Sequence, residues 1–124
     1  MLTQDFAVKF AREWAEAWNS RDLERILGQY ATDVELTSPF VSRILGGEAD
    51  TVRGVAALRN YFRFGLTTYP DLRFVPRRVY AGVRSVVVEY ESVGGSLSAE
   101  MMEFDEAGQV RRVRAHYSKR DPGV

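Results

Sequence analysis

The stretch LRFVPRRVYAGVRSVVVEYESVGGSLSAEMMEFDEAGQVRRVRAHYS, residues 72–118, decides the fold. Three turn signals divide it: Ala81-Gly82, Gly94-Gly95 and the run Asp105-Glu106-Ala107-Gly108. Between them lie runs rich in valine and aromatic residues, which suit a pleated, half-buried surface. The spacing predicts four antiparallel strands over 72–80, 84–92, 96–104 and 109–118, each joined to the next by a tight turn. In the last run Val113, Ala115 and Tyr117 alternate with Arg112, Arg114 and His116, so the first set should face the core and the second should face outward. In the second run Val86, Val88 and Tyr90 alternate with Val87, Glu89 and Glu91, which puts acids within reach of a neighbouring strand's outer arginines. The third run is ambiguous: Leu97, Ala99 and Met101 suggest one inward face, Met102 and Phe104 the other. Either a bulge shifts the register near Glu100, or both sides of the strand are covered.

Upstream of residue 72 the period changes from two to between three and four. Phe6, Phe10, Trp14, Ala17 and Trp18 line one face of a helix with large rings. Asn19-Ser20-Arg21 interrupts it, and Asp22 offers a side-chain acceptor to open a second helix through Leu23, Ile26, Leu27 and Tyr30. A short extra strand is expected over 34–37 and an irregular loop over 38–50. A third helix follows over 55–66, with Val55, Leu58, Phe62 and Leu66 at helical spacing. Helices first and strands afterwards indicate a single α+β domain over 1–124, with three helices packed on a mainly antiparallel four-stranded sheet.

Composition narrows the function classes. The 17 basic and 17 acidic residues cancel, so no net field favours nucleic acid or an anionic membrane. The chain has no cysteine, which excludes disulfides, thiolate catalysis and Cys-based metal sites. With one histidine a transition-metal site would have to be built mostly from carboxylates, so neither a metal nor a cofactor is expected. No stretch approaches the roughly 20 apolar residues that span a bilayer, and the first ten residues lack the pattern of a signal peptide. A cytoplasmic protein is the resulting expectation. The glycine pairs Gly46-Gly47 and Gly94-Gly95 match no nucleotide-binding fingerprint and read as turns.

Four segments carry a resemblance: WAEAWNSRD from Trp14 to Asp22, Tyr30-Ala31-Thr32-Asp33-Val34, Gly54-Val55-Ala56-Ala57-Leu58-Arg59-Asn60-Tyr61-Phe62, and Glu103-Phe104-Asp105-Glu106-Ala107-Gly108-Gln109-Val110. In this order they resemble the SnoaL-like branch of the nuclear transport factor two-like, or ketosteroid isomerase-like, superfamily with its cystatin-like fold. The resemblance implies a cone: helices against a curved sheet, a deep pocket between them, and frequently a homodimer through the outer sheet face. It does not choose a reaction, because isomerases, cyclases, hydrolases, dehydratases and non-catalytic proteins share the fold. Carried over by position, the isomerase's first-helix tyrosine falls at Trp14, its general-base aspartate at Ser38, and its second oxyanion donor at Glu100. A serine hydroxyl cannot serve as a carboxylate base, so steroid isomerisation by that route is not expected.

The same resemblance turns Glu100 toward the pocket among Val88 and Met102, where burial would raise its pKa and fit it for general acid–base work. The alternative is an exposed glutamate paired with an arginine. Trp14, Trp18, Tyr30, Phe40 and Phe62 are candidates for an aromatic chamber, or simply for the core. Tyr117 joins Trp14 and Tyr30 as a positioning residue, with Ser38, Val88 and Met102 as further wall. Arg43 reads as a solvated loop arginine, with an acidic ligand group as its alternative partner. His116 belongs by parity to the outer face or a dimer interface, unless a bulge reverses it. Two functions follow: a small enzyme moving a proton on an apolar or polyketide-like molecule with Glu100, or a dimeric binding or assembly protein that keeps the fold without a reaction.

Overall fold

The computed structural model describes residues 1–118. The chain runs α1 (Gln4–Ser20), α2 (Leu23–Leu27), β1 (Tyr30–Thr37), α3 (Phe40–Leu45), β2 (Thr51–Arg53), α4 (Val55–Thr68), β3 (Val75–Ala81), β4 (Ser85–Glu91), β5 (Leu97–Phe104) and β6 (Val110–Tyr117). A single 3-10 turn, Val93–Gly95, joins β4 to β5. The three glycine-marked turns connect antiparallel neighbours as expected. At the last of them Asp105 accepts from the N–H groups of Ala107 and Gln109, and Gly108 takes a positive φ of 81°.

The sheet is larger than the four strands and one short extra predicted. It has six, in the order β2-β1-β6-β5-β4-β3. β1 begins at Tyr30 rather than residue 34 and pairs parallel with β6, the one parallel pairing in the sheet. The second helix correspondingly stops at Leu27, because Gly28 closes it. A fourth helix, α3, occupies ground predicted as loop, and the short β2 follows that loop in residues assigned to no element. α3 is one and a half turns long and ends at Gly46, whose φ of 79° suits a residue without Cβ.

Thr3 opens α1 by accepting from the Phe6 N–H at 3.0 Å. Its buried residues are Ala7, Ala11, Trp14, Ala15, Ala17 and Trp18, so Trp14, Ala17 and Trp18 are buried as predicted while Ala7 and Ala11 take the place of Phe6 and Phe10. The small alanines let the helix approach the sheet, while Phe6 and Phe10 lie at its margin and meet the Phe104 ring edge-on. Val86, Val88 and Tyr90 of β4 and Val113 and Ala115 of β6 are buried beneath the helices. On β5 the buried set is Ser98, Glu100, Met102 and Phe104. No bulge lies near Glu100; the register is continuous from Ser98 to Glu103 and shifts only before Phe104. His116 is exposed on the outer face. On that face Arg77 pairs with Glu91 at 2.7 Å, the cross-strand arrangement the alternation implied.

Both sheet edges are short or partly occupied. β2 is only three residues long. α1 runs beside β3, where the Gln4 amide donates to Val79 O and Asn19 both donates to Phe74 O (2.9 Å) and accepts from Phe74 N–H (2.8 Å). Pro76 removes one more donor and the register shifts beside it. Arg21, the one described non-glycine residue at positive φ, ends α1 and donates its guanidinium to the carbonyls of Leu66 and Tyr69, satisfying the last turn of α4. Asn19→Ala is expected to lower stability by about 2 kcal/mol by leaving both Phe74 backbone groups without partners. Urea midpoints measure this, and Arg77→Ala, which opens an exposed pair, should cost less than about 1 kcal/mol.

Candidate functional site

The inner face of β5 puts a carboxyl where a core residue would normally stand. Cross-strand register places Glu100 between Val88 of β4 and Ala115 of β6, and Ser98 between Tyr90 and Tyr117. Val88 and Ala115 are short, so they cannot shield the longer glutamate, and Tyr90 reaches it on the diagonal. The Tyr90 hydroxyl donates to Glu100 Oε1 at 2.6 Å. No arginine or lysine among the described residues forms an ion pair with this carboxyl. Burial therefore raises its pKa from 4.5 to about 7, with the Tyr90 hydrogen bond acting in the opposite direction.

Glu100 opens into a cavity of about 330 Å³ between the sheet and helices α3 and α4. That is the lower end of the range for small-molecule sites. Five tyrosines line it, Tyr30, Tyr61, Tyr69, Tyr90 and Tyr117; in Tyr30, Tyr61, Tyr90 and Tyr117 the phenol pKa is raised, first by burial, and the negative charge of Glu100 adds to this in each. These four are neutral hydrogen-bonding groups at any physiological pH. Ser38, only 2% exposed, accepts from the Phe40 N–H, and its hydroxyl favours the ionised forms of Tyr61 and Tyr117. Phe40 meets Tyr117 edge-on at 4.5 Å, and the Arg43 guanidinium lies 4.9 Å over the Phe40 ring, so this arginine borders the cavity instead of extending into water.

Of the residues the sequence singled out, the structure brings Trp18, Tyr30, Ser38, Phe40, Phe62, Glu100 and Tyr117 together around this space. Trp14, Val88 and Met102 are not in its wall. All three are fully buried in the core cluster with Ala7 and Ala11, where close approach of α1 to the sheet leaves no room. Trp14 instead stacks on Phe74 and meets Tyr90 edge-on, which fixes the ring that reaches Glu100. The indole N–H groups of Trp14 and Trp18 are buried without a hydrogen-bond partner among the described residues. Sequence reasoning missed Tyr61, Tyr90 and Ser98 as wall residues. Tyr90 shared the inward parity of Val86 and Val88, and Tyr61 stands three residues after Leu58 on the buried stripe of α4, so both carried a signal. A second, open groove of about 750 Å³ between α1 and β3 carries exposed arginines and no buried titratable side chain. Among the described residues no three His, Asp or Glu side chains gather to hold a metal ion, and no helix is long and apolar enough to cross a membrane.

The architecture is the cystatin-like fold. It is shared at a TM-score of 0.90 with a SnoaL-like protein of unknown function from Burkholderia thailandensis, 38% identical over 96% of this chain and 100% of the other. A putative isomerase of the SnoaL-like family from Agrobacterium tumefaciens superposes at 0.74, with 15% identity over 91% of this chain and 97% of its own. SalBIII, an epoxide hydrolase/cyclase-like enzyme in pyran ring formation in the polyether salinomycin, also superposes at 0.74, with 16% identity over 98% and 97% of the two chains. At those identities the last two share the fold alone. No curated protein matches the sequence. The model of the SnoaL-like domain matches residues 11–122, and with the 38% identical relative this shows that the chain belongs to the SnoaL-like domain family.

Proposed function

We propose that the cavity takes a small, largely apolar molecule and that Glu100 moves a proton on it, in an isomerase, cyclase or lyase type of reaction. The observation that carries this reading is a carboxyl buried without a cation, bonded to one phenol and opening into an apolar chamber. With a pKa of about 7, comparable amounts of base and acid are present near neutrality, as general acid–base catalysis requires. Such a group removes a proton from carbon next to a carbonyl and returns it at a second position. The putative isomerase and the cyclase-like enzyme among the structural neighbours are consistent with chemistry of this class.

The substrate need not be known to test this. β,γ-Unsaturated ketones and 1,3-diketones incubated with the protein in deuterated water should exchange hydrogen at the acidic carbon, followed by NMR. The rate should rise with pH through about 7 as Glu100 ionises. Glu100→Gln should lower it by about 100-fold or more. Equal exchange by wild type and Glu100→Gln would remove Glu100 from the mechanism.

The same burial has a signature in stability. Glu100 holds its proton to a higher pH in the folded chain than in the unfolded one, so folding is favoured most below about 4.5 and this contribution is lost as pH rises to about 7. Glu100→Gln, uncharged throughout, is expected to gain on wild type by an amount on the order of 3 kcal/mol between those limits, with no further gain above them. Denaturant titrations of both proteins across that range measure it. A pH-independent difference would contradict the buried titration.

A second reading is a dimeric binding or assembly protein. The outer sheet face favours it, since Val87 lies between Tyr80 and Met101 and Ala99 is likewise only partly buried there, whereas Val79, opposite Val88, is on the inner face. A second copy of the chain on this face would cover them. Light scattering should then give a particle of twice the chain mass, reduced to one by Met101→Glu; a wild-type monomer at micromolar concentration would count against it.

A further inference from the structure

The ionic side chains of the cavity wall stand at opposite depths. Among the described residues that line it, Glu100 is the one carboxyl and Arg43 the one basic side chain. Glu100 is buried, whereas Arg43 of α3 and Val93 of the turn between β4 and β5 line the cavity and are also exposed, so they mark its mouth. The wall between these ends is built of rings, aliphatic side chains and serines. Arg43 is held at the mouth by a ring of its own helix. Its guanidinium lies 4.9 Å over Phe40, and Phe40 meets Tyr117 edge-on at 4.5 Å, so two ring contacts lead from the cation into the wall. Stacking occupies the flat face of a guanidinium and leaves its in-plane N–H donors for another partner. No carboxylate among the described residues takes them, although Arg25, Arg53, Arg59, Arg77 and Arg111 each have one. An exposed arginine without an ion pair is ordinary by itself; one fixed on a ring at the mouth of a cavity with no other cation in its wall gives an anionic ligand end a place to stop.

We infer that Arg43 anchors a carboxylate of the ligand at the mouth, so that the cavity selects a monocarboxylic acid whose apolar body reaches inward toward Glu100. This rests on the reading of the cavity as a small-molecule site and names its ligand class; it is separate from any role of Glu100 as a base. The planar fork of a guanidinium matches the two oxygens of a carboxylate. The charge count argues against a phosphate: one guanidinium balances one negative charge, and the second charge of a phosphate would be left over in a wall whose other ionic group is a carboxyl. Position argues the same way as chemistry. At the mouth a carboxylate keeps part of its hydration, whereas beside Glu100 it would be stripped of water next to a group of its own kind. The ligand's orientation follows, with its acid end outward and its other end at Glu100 and Tyr90.

The test uses 2-naphthylacetic acid, ionised near neutrality, and 2-naphthylacetamide, its uncharged counterpart of nearly the same shape, with affinities measured by calorimetry at low salt. Wild type should bind the acid about five-fold more tightly or better, the scale of one ion pair partly open to water. Arg43→Gln should bring that preference close to unity and leave affinity for the amide within about two-fold; the side chain is exposed, so the variant is expected to fold. Arg114→Gln, which removes an exposed arginine from the outer face of β6, should leave the preference unchanged. A third probe, 2-naphthylmethylphosphonate, should bind no more tightly than the acid. Equal affinities of wild type for acid and amide would overturn the anchor while leaving the cavity and the exchange chemistry of Glu100 standing. A preference that survives in Arg43→Gln, or that falls as far in Arg114→Gln, would overturn it as well, and tighter binding of the phosphonate would overturn the carboxylic acid as the ligand class. Failure of all three probes to bind would overturn the cavity reading and this inference with it.

Discussion

The rest of the structure is organised around one costly act, the burial of the Glu100 carboxyl on the inner face of the sheet. Moving a carboxylate out of water without a cation disfavours its charged form, and the one phenol that donates to it offsets only part of that penalty. Replacing the glutamate by an apolar residue would suit the core better. The fold tolerates the charge because the neighbours of Glu100 are short enough to leave a space and because large rings fill the volume elsewhere. Trp14, Phe74 and Tyr90 form a continuous aromatic contact, with centroids about 5 Å apart, that holds the Tyr90 hydroxyl at its acceptor. Thus the residue that appeared by position to be part of the chamber acts from behind its wall.

That arrangement needs a rigid frame, and the frame depends on a few polar side chains at helix ends. Asn19 replaces the strand that β3 lacks on its free side, so Phe74, just before β3, is held where Trp14 and Trp18 can meet its ring. Arg21 adopts a left-handed conformation that turns the chain out of α1, and the same turn aims its guanidinium at the end of α4. The helices that roof the cavity are therefore tied to each other through backbone carbonyls, which are less variable in position than side-chain partners. Surface ion pairs such as Lys9–Glu13 add little, being exposed to water at both ends.

How much of this could be read in advance depends on how local the determining signal is. The turns at Gly82, Gly94-Gly95 and Gly108 are set by residues within the turn, and the alternation in β4 and β6 by residues two apart; both were legible. The parallel pairing of β1 with β6 joins residues about 80 apart, Tyr30 with Val110, and nothing near Tyr30 announces it. α3 was missed because six residues between a proline and a glycine pair offer too few turns for a helical period to show. In α1 the large rings suggested the buried face, but close approach to the sheet favours alanine, so Ala7 and Ala11 took it and Phe6 was left at the margin. Glu100 pointed inward by family position, and the ambiguous pattern of β5 had concealed why: the alternation there is Ser98, Glu100, Met102, Phe104, with two polar residues on the buried side.

The polar groups around the cavity also differ in what they can do as pH changes. The phenols of Tyr30, Tyr61, Tyr90 and Tyr117, pushed upward by burial, stay protonated well beyond neutrality. His116 is on the opposite face of the sheet. Of the wall groups whose pKa burial displaces, Glu100 is the one brought near neutrality. A pair of titrating groups gives a bell-shaped pH profile; one group gives a single step. Proton transfer that relies on this group alone would use the same carboxyl to take and to return the proton, which suits steps whose donor and acceptor atoms both lie within reach of one glutamate. A reaction needing a separate acid and base at opposite ends of the ligand would have to draw the second from the ligand itself or from water.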